Sequence, residues 1–140
     1  MTAPRAGHRT LPHTADTRVR AWGPTFADCV AQAVLGAVAS FVDASGAAPV
    51  AHHELRVAPG DPGDLVVAVL DEVIYLLDVA GQVPVGVTVA SGEDGHLVRF
   101  DLADVAELPQ VGAVPKAVSL HGLRVEEGPD GWLCEVTLDV

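Results

Sequence analysis

The chain reads as an α+β domain: a mixed β-sheet of about six strands with two α-helices packed on it, in the order β-α-β-α-β-β-β-β. Three observations predict this. Two stretches, Phe26 to Phe41 and Leu65 to Leu77, carry apolar residues at helical spacing. Runs of period two lie around them, the mark of half-buried strands. The C-terminal part then offers two hairpin-like pairs of strands around glycine-containing turns. Packing two helices on such a sheet is the natural α+β solution.

The elements follow in order. Over Thr17–Trp22, Val19 and Ala21 alternate with Arg18 and Arg20, and Gly23-Pro24 ends the strand. Thr25 offers an N-cap hydroxyl, with Asp28 near the positive end of the helix dipole. Phe26, Cys29, Val30, Ala33, Val34, Ala37, Val38 and Phe41 then predict a helix to about Val42. His53–Val57 is a short strand, and Pro59–Gly63 a turn cluster. Asp64 is expected to cap a second helix that stops at Gly81, a favoured C-terminal residue. Val85–Ala90 and His96–Phe100 form a hairpin around Ser91–Gly95. Asp101–Pro115 is irregular. Lys116–Glu126 and Trp132–Val140 form the last hairpin. A change of apolar parity between Val118/Leu120 and Leu123/Val125 predicts a β-bulge near Gly122.

A length of 140 residues suits one domain, taken as 11–140. Residues 1–10 hold two arginines and no apolar segment, so they read as a disordered lead-in and not a secretory signal. The most apolar run, Leu65 to Val79, is interrupted by Asp71, Glu72 and Asp78, so a buried helix is expected there and no membrane span. Cys29 and Cys134 both fall on apolar stripes and are expected as buried thiols in a cytoplasmic protein. The formal net charge is −11 with eight Lys and Arg. Such a chain is not expected to spread a broad basic face or to bind nucleic acid directly. A basic protein or a cation suits it better as a partner.

Asp16 stands just before the first strand. Asp139 lies on the polar side of the last one, beside the α-carboxylate of Val140. If the terminal strands are neighbours, these carboxylates form an oxygen-rich pocket suited to Ca²⁺ or Mg²⁺. The plain alternative is local: Asp16 as a turn residue bonding backbone N–H groups, and Asp139 as a solvated strand residue. His13 is either a ligand or, preferably, a turn-holding side chain. His52 and His53 are adjacent on a strand, so they point to opposite faces and do not share a metal. Zinc spacings, phosphate-binding loops and nucleophile elbows are absent from the sequence. Ser119 and His121 share a strand face without an oriented base or oxyanion donors.

Five blocks, in order, carry a resemblance to a known family. They are His13-Thr14-Ala15-Asp16; the alternating strand Thr17–Gly23; the helix run Leu65–Leu76; Lys116-Ala117-Val118-Ser119-Leu120-His121; and the closing Asp139-Val140. Together they resemble the archeases, small acidic proteins that activate a GTP-dependent RNA ligase in tRNA splicing and RNA repair. Val69 and Asp71 stand where that family usually has Trp and Asn, and Ser119 and Leu120 where it has Thr and Tyr. The resemblance implies a divalent metal held by Asp16, Asp139 and the terminal carboxylate of Val140, with His13, Lys116 and His121 partner-facing or supporting. It implies a non-catalytic activator that speeds ligase guanylylation and supports multiple turnover. Two rivals are a small metal-dependent hydrolase using the same carboxylates with Lys116 or His121 as acid or base, and a chaperone-like interaction module.

Overall fold

The computed structural model describes residues 5–11 and 16–140. It contains β1 (Gly7–Leu11), β2 (Asp16–Gly23), α1 (Phe26–Ala39), β3 (Ala51–Val57), α2 (Pro62–Ala80), β4 (Gln82–Gly92), β5 (Gly95–Asp104), a 3-10 turn at Val105–Glu107, β6 (Ala117–Gly128) and β7 (Gly131–Asp139). The α+β class is as expected, but the single mixed sheet of about six strands is replaced by two antiparallel sheets. One runs β1-β2-β7-β6, the other β3-β5-β4. Both helices touch strands of both sheets: α1 packs on β1, β2, β7 and β4, and α2 on β6, β3 and β4. The reason is visible on α1, where Cys29, Val30, Ala33, Val34, Ala37 and Val38 are all buried. An apolar arc that wide has to be covered from more than one side.

A further strand, β1, lies within the expected lead-in: residues 7–10 are extended and pair with β2 from Gly7↔Trp22 onward, while residues 1–4 lie outside the described residues. Gly-His-Arg-Thr-Leu has no apolar alternation, so this strand gave no period-two signal. It is held by its ladder and by two close approaches. The Trp22 indole lies against Gly7, and the His8 Cβ against Gly36 of α1, each where a Cβ would clash below 3 Å.

Thr25 Oγ1 accepts from the Asp28 N–H at 3.1 Å, the expected cap of α1. Helical hydrogen bonding reaches the Val42 N–H, which donates to the Val38 carbonyl. α2 starts earlier than expected: Asp61, not Asp64, is its N-cap, accepting from the Gly63 and Asp64 N–H groups at 2.9 and 3.3 Å. Pro62 fixes the first helical position, which favours that choice. Gly81 ends α2 in the left-handed region at φ 64°. The register of β6 on β7 shifts between Ser119 and Arg124, and Gly122 there has φ 75°, the expected bulge. No helix among the described residues is long and apolar enough to cross a membrane.

Candidate functional site

Strands β2 and β7 are neighbours, so the first part of the chain meets the last. Their ladder sets Asp16 directly opposite Asp139, then Arg18 opposite Thr137 and Arg20 opposite Glu135. Val19, Ala21, Cys134, Val136 and Leu138 of these strands are in the core. Strand alternation therefore puts Asp16, Arg18, Arg20, Asp139 and Glu135 on the other, outer face.

Directly opposed residues of an antiparallel pair have Cα atoms about 4.5–5.5 Å apart. Two carboxylates so placed repel unless something positive lies with them. Asp139 is exposed and Asp16 half-buried, and Asp16 is itself engaged with a neighbouring group. The pair fits a hard divalent cation in ligand chemistry, since every donor is oxygen. It falls short in number: among the described residues no three His, Cys, Asp or Glu side chains are grouped to hold a metal. Further oxygens would have to come from the main chain, from the half-buried Val140 beside Asp139, or from water.

Lys116 is tied to this end, its backbone N–H donating to the Asp139 carbonyl at 2.7 Å. It also lines a groove of about 660 Å³ with Asp71, Tyr75 and Asp78 of α2 and with Val114. His121 is elsewhere, exposed in the β6 bulge, with its backbone N–H donating to Ser119 Oγ at 3.2 Å. His13 lies outside the described residues. Of the two helix departures from the family pattern, Val69 is fully buried, whereas Asp71 faces the groove.

The next rows of the same face hold an arrangement that sequence reading missed. Glu135 is buried, its side chain 11% exposed, yet it lies on the outer face. Three guanidiniums surround it: Arg18 at 2.9 Å, Arg124 at 3.3 Å and Arg20 at 3.6 Å. Arg124 also donates to Glu126 at 3.0 Å, and these contacts raise the Arg124 pKa and lower that of Glu126. Arg9 of β1 stands directly opposite Arg20. The alternation of Arg18 and Arg20 with core residues marked them as outward-facing. Only the strand register could reveal that they converge on Glu135.

The adjacent histidines do diverge. His52 Nδ1 lies 2.7 Å from Asp101 on the outer face of the three-stranded sheet, and His53 Nε2 lies 2.8 Å from Glu72 of α2. Cys29 and Cys134 are free and buried. Burial pushes their pKa values up to about 11 and about 12, so both remain thiols at neutral pH.

Fold and site together make a small acidic α+β domain in which β2 and the last strand, β7, set two carboxylates at one end of an open sheet face. The model of the Archease protein family matches residues 8–140, and this chain belongs to the archease family. It is 53% identical over 136 residues to "Probable protein archease" of Mycobacterium tuberculosis, covering 96% of this chain and 75% of that one. It is 28% identical over 134 residues to "Protein archease" of Thermococcus gammatolerans, covering 91% and 94%. The fold is shared with the solution structure of Methanobacterium thermoautotrophicum protein 1598 (TM-score 0.75, 18% identity, covering 96% of this chain and 99% of that one). It is shared too with the crystal structure of an archease, described as a possible chaperone, from Thermotoga maritima (TM-score 0.67, 16% identity, covering 94% and 96%).

Proposed function

We propose that this chain is a cytoplasmic, non-catalytic activator of a GTP-dependent RNA ligase, promoting ligase guanylylation and multiple turnover in tRNA splicing or RNA repair. Family membership supports the class. The observation that carries the reading is the register that sets Asp16 opposite Asp139. In this reading Asp16 and Asp139 hold Ca²⁺ or Mg²⁺, joined by the Val140 α-carboxylate where Val140 is the last residue. When bound, the cation supplies charge neutralisation for a triphosphate.

The chain's own residues do the docking. A net charge of −11 favours a basic cleft on the partner and speeds the encounter. Lys116 is held at this end by its backbone bond to Asp139 and lines the groove along α2, where it is partner-facing or supporting. His13 and His121 are partner-facing or supporting. The hydrolase alternative needs an acid or base next to the carboxylates. Of its two candidates, Lys116 lines the groove along α2, and His121 is four residues along β6 from Ala117, the residue that faces Asp139.

The test is guanylylation of the ligase encoded with this chain, with and without the untagged protein. Stimulation that is lost in Asp16→Asn supports the reading. Equal stimulation by Asp16→Asn removes the cation from it, and turnover of a nucleotide or phosphoester by the protein alone would move it to the hydrolases.

A further inference from the structure

The expectation that eight basic residues cannot form a basic face rests on their being scattered. They are not: Arg9, Arg18, Arg20 and Arg124, four of the eight, share the outer face of the four-stranded sheet. Their rows set Arg9 beside Arg20, Arg20 beside Glu135, and Glu135 beside Arg124, crossing all four strands. Neighbouring strands are about 4.8 Å apart, so this stripe spans roughly 14 Å. Four guanidiniums meet Glu135 and Glu126, with Asp16 two residues beyond Arg18 on the same strand face. Arg9 has no ion pair among the described residues, and Arg20 reaches Glu135 only at 3.6 Å. Glu135 is thus outnumbered. It fixes the guanidiniums in place and leaves donor capacity turned to solvent.

The next row adds an aromatic ring. Trp22 is half-buried on the same face, laid against Gly7, with Leu133 opposite it. Guanidiniums beside an aromatic ring on an open sheet are the parts of a single-strand platform: forks for phosphates and a surface on which a base can stack. We propose that this face binds the backbone of single-stranded nucleic acid, with Arg9, Arg20 and Arg124 contacting phosphates and Trp22 stacking on a base. The carboxylate pair lies at the far end of the face. Asp16 is four residues from Arg20, about 13 Å along the strand, which exceeds the Debye length of about 8 Å at physiological salt. Its repulsion is largely screened at the stripe. An acidic peptide would also meet the charge, but it would make no use of the ring.

The proposal does not depend on the ligase reading, and its test uses the protein alone, with EDTA present so that no cation contributes. Anisotropy of a fluorescein-labelled oligouridylate of about 12 nucleotides is followed from about 50 mM salt upward. Arg9→Gln/Arg20→Gln is compared with Arg56→Gln/Arg99→Gln, an equal charge change away from this face. The expected result is at least a tenfold loss in the first variant and less than a twofold loss in the second. The log–log salt slope should shrink by about 1.4 in the first variant, for two lost single-strand contacts. Trp22→Leu should weaken binding by at least fivefold, with circular dichroism reporting that each variant is folded. Failure to bind at low salt, or equal losses in the two double variants, overturns the proposal. So does an oligoglutamate that competes as well as the oligonucleotide and is unaffected by Trp22→Leu, since that assigns the face to an acidic protein.

Discussion

The outer faces of the two sheets look alike in the sequence and differ in how their charges are arranged. On the three-stranded sheet, charges meet across strands one to one: His52 faces Asp101, and Glu54 faces Arg99. The His52–Asp101 pair is open to water, with side chains 56% and 40% exposed. On the four-stranded sheet, one carboxylate gathers three guanidiniums and is buried by them, while two other carboxylates stand opposite each other. The first face is ordinary solvated β-surface. The second concentrates like charges, an arrangement that weakens a sheet and that binding can justify.

The largest expected effect comes from the carboxylate pair. A cation bound to the folded state alone raises stability by about 2.7 kcal/mol at a hundred times its dissociation constant. Thermal melting in Ca²⁺ or Mg²⁺ against EDTA should show the gain, and Asp139→Asn should abolish it. A gain of the same size in that variant would break the contrast between the faces. Next comes Glu135→Gln, which strips the central countercharge. Removing one partner of a fully buried pair costs about 3–5 kcal/mol, and partial exposure of these guanidiniums reduces that to about 2 kcal/mol. Urea denaturation measures it.

The core between α1 and the four-stranded sheet gives a pH reference. Burial raises the Cys29 and Cys134 pKa values to about 11 and about 12 from an ordinary 9.0. Folded thiols hold their protons longer than unfolded ones, so this stabilisation is full below pH 9 and is lost as pH rises toward 11–12. Each thiol should cost up to about 1.4 kcal/mol per pH unit in that window. Denaturation from pH 8 to 10.5 tests it, and a flat profile contradicts it. Smallest is Asp101→Asn on the three-stranded sheet, expected below about 0.5 kcal/mol, as for exposed ion pairs. A loss as large as that for Glu135→Gln would erase the comparison.

What was legible in the sequence was local. Thr25 as a cap, Gly81 as a stop, the bulge at Gly122, the opposed directions of His52 and His53, and two buried thiols each follow from a few neighbouring residues. What depended on choosing a distant partner was not legible. Alternation assigns Arg18, Arg20 and Glu135 to a face, but only the β2–β7–β6 register brings them together. β1 has no pattern of its own and is held by Trp22 and Gly36. One mixed sheet and two antiparallel sheets call for the same alternation, and the wide apolar arc of α1 decides between them. Asp61 and Asp64 are both plausible caps, and Pro62 between them favours the earlier. Asp16 and Asp139 stand out through the family resemblance, since position alone leaves each a local turn or solvated strand residue, and their juxtaposition depends on the β2–β7 register.

In the proposed function, ligase activation depends on the carboxylate end of the four-stranded face. The most direct measurement is ligase guanylylation stimulated by wild-type protein, Asp139→Ala and Asp101→Ala, each a single carboxylate removed, side by side. Full stimulation is expected from Asp101→Ala and a loss of at least tenfold in Asp139→Ala. Equal stimulation by both variants would contradict it.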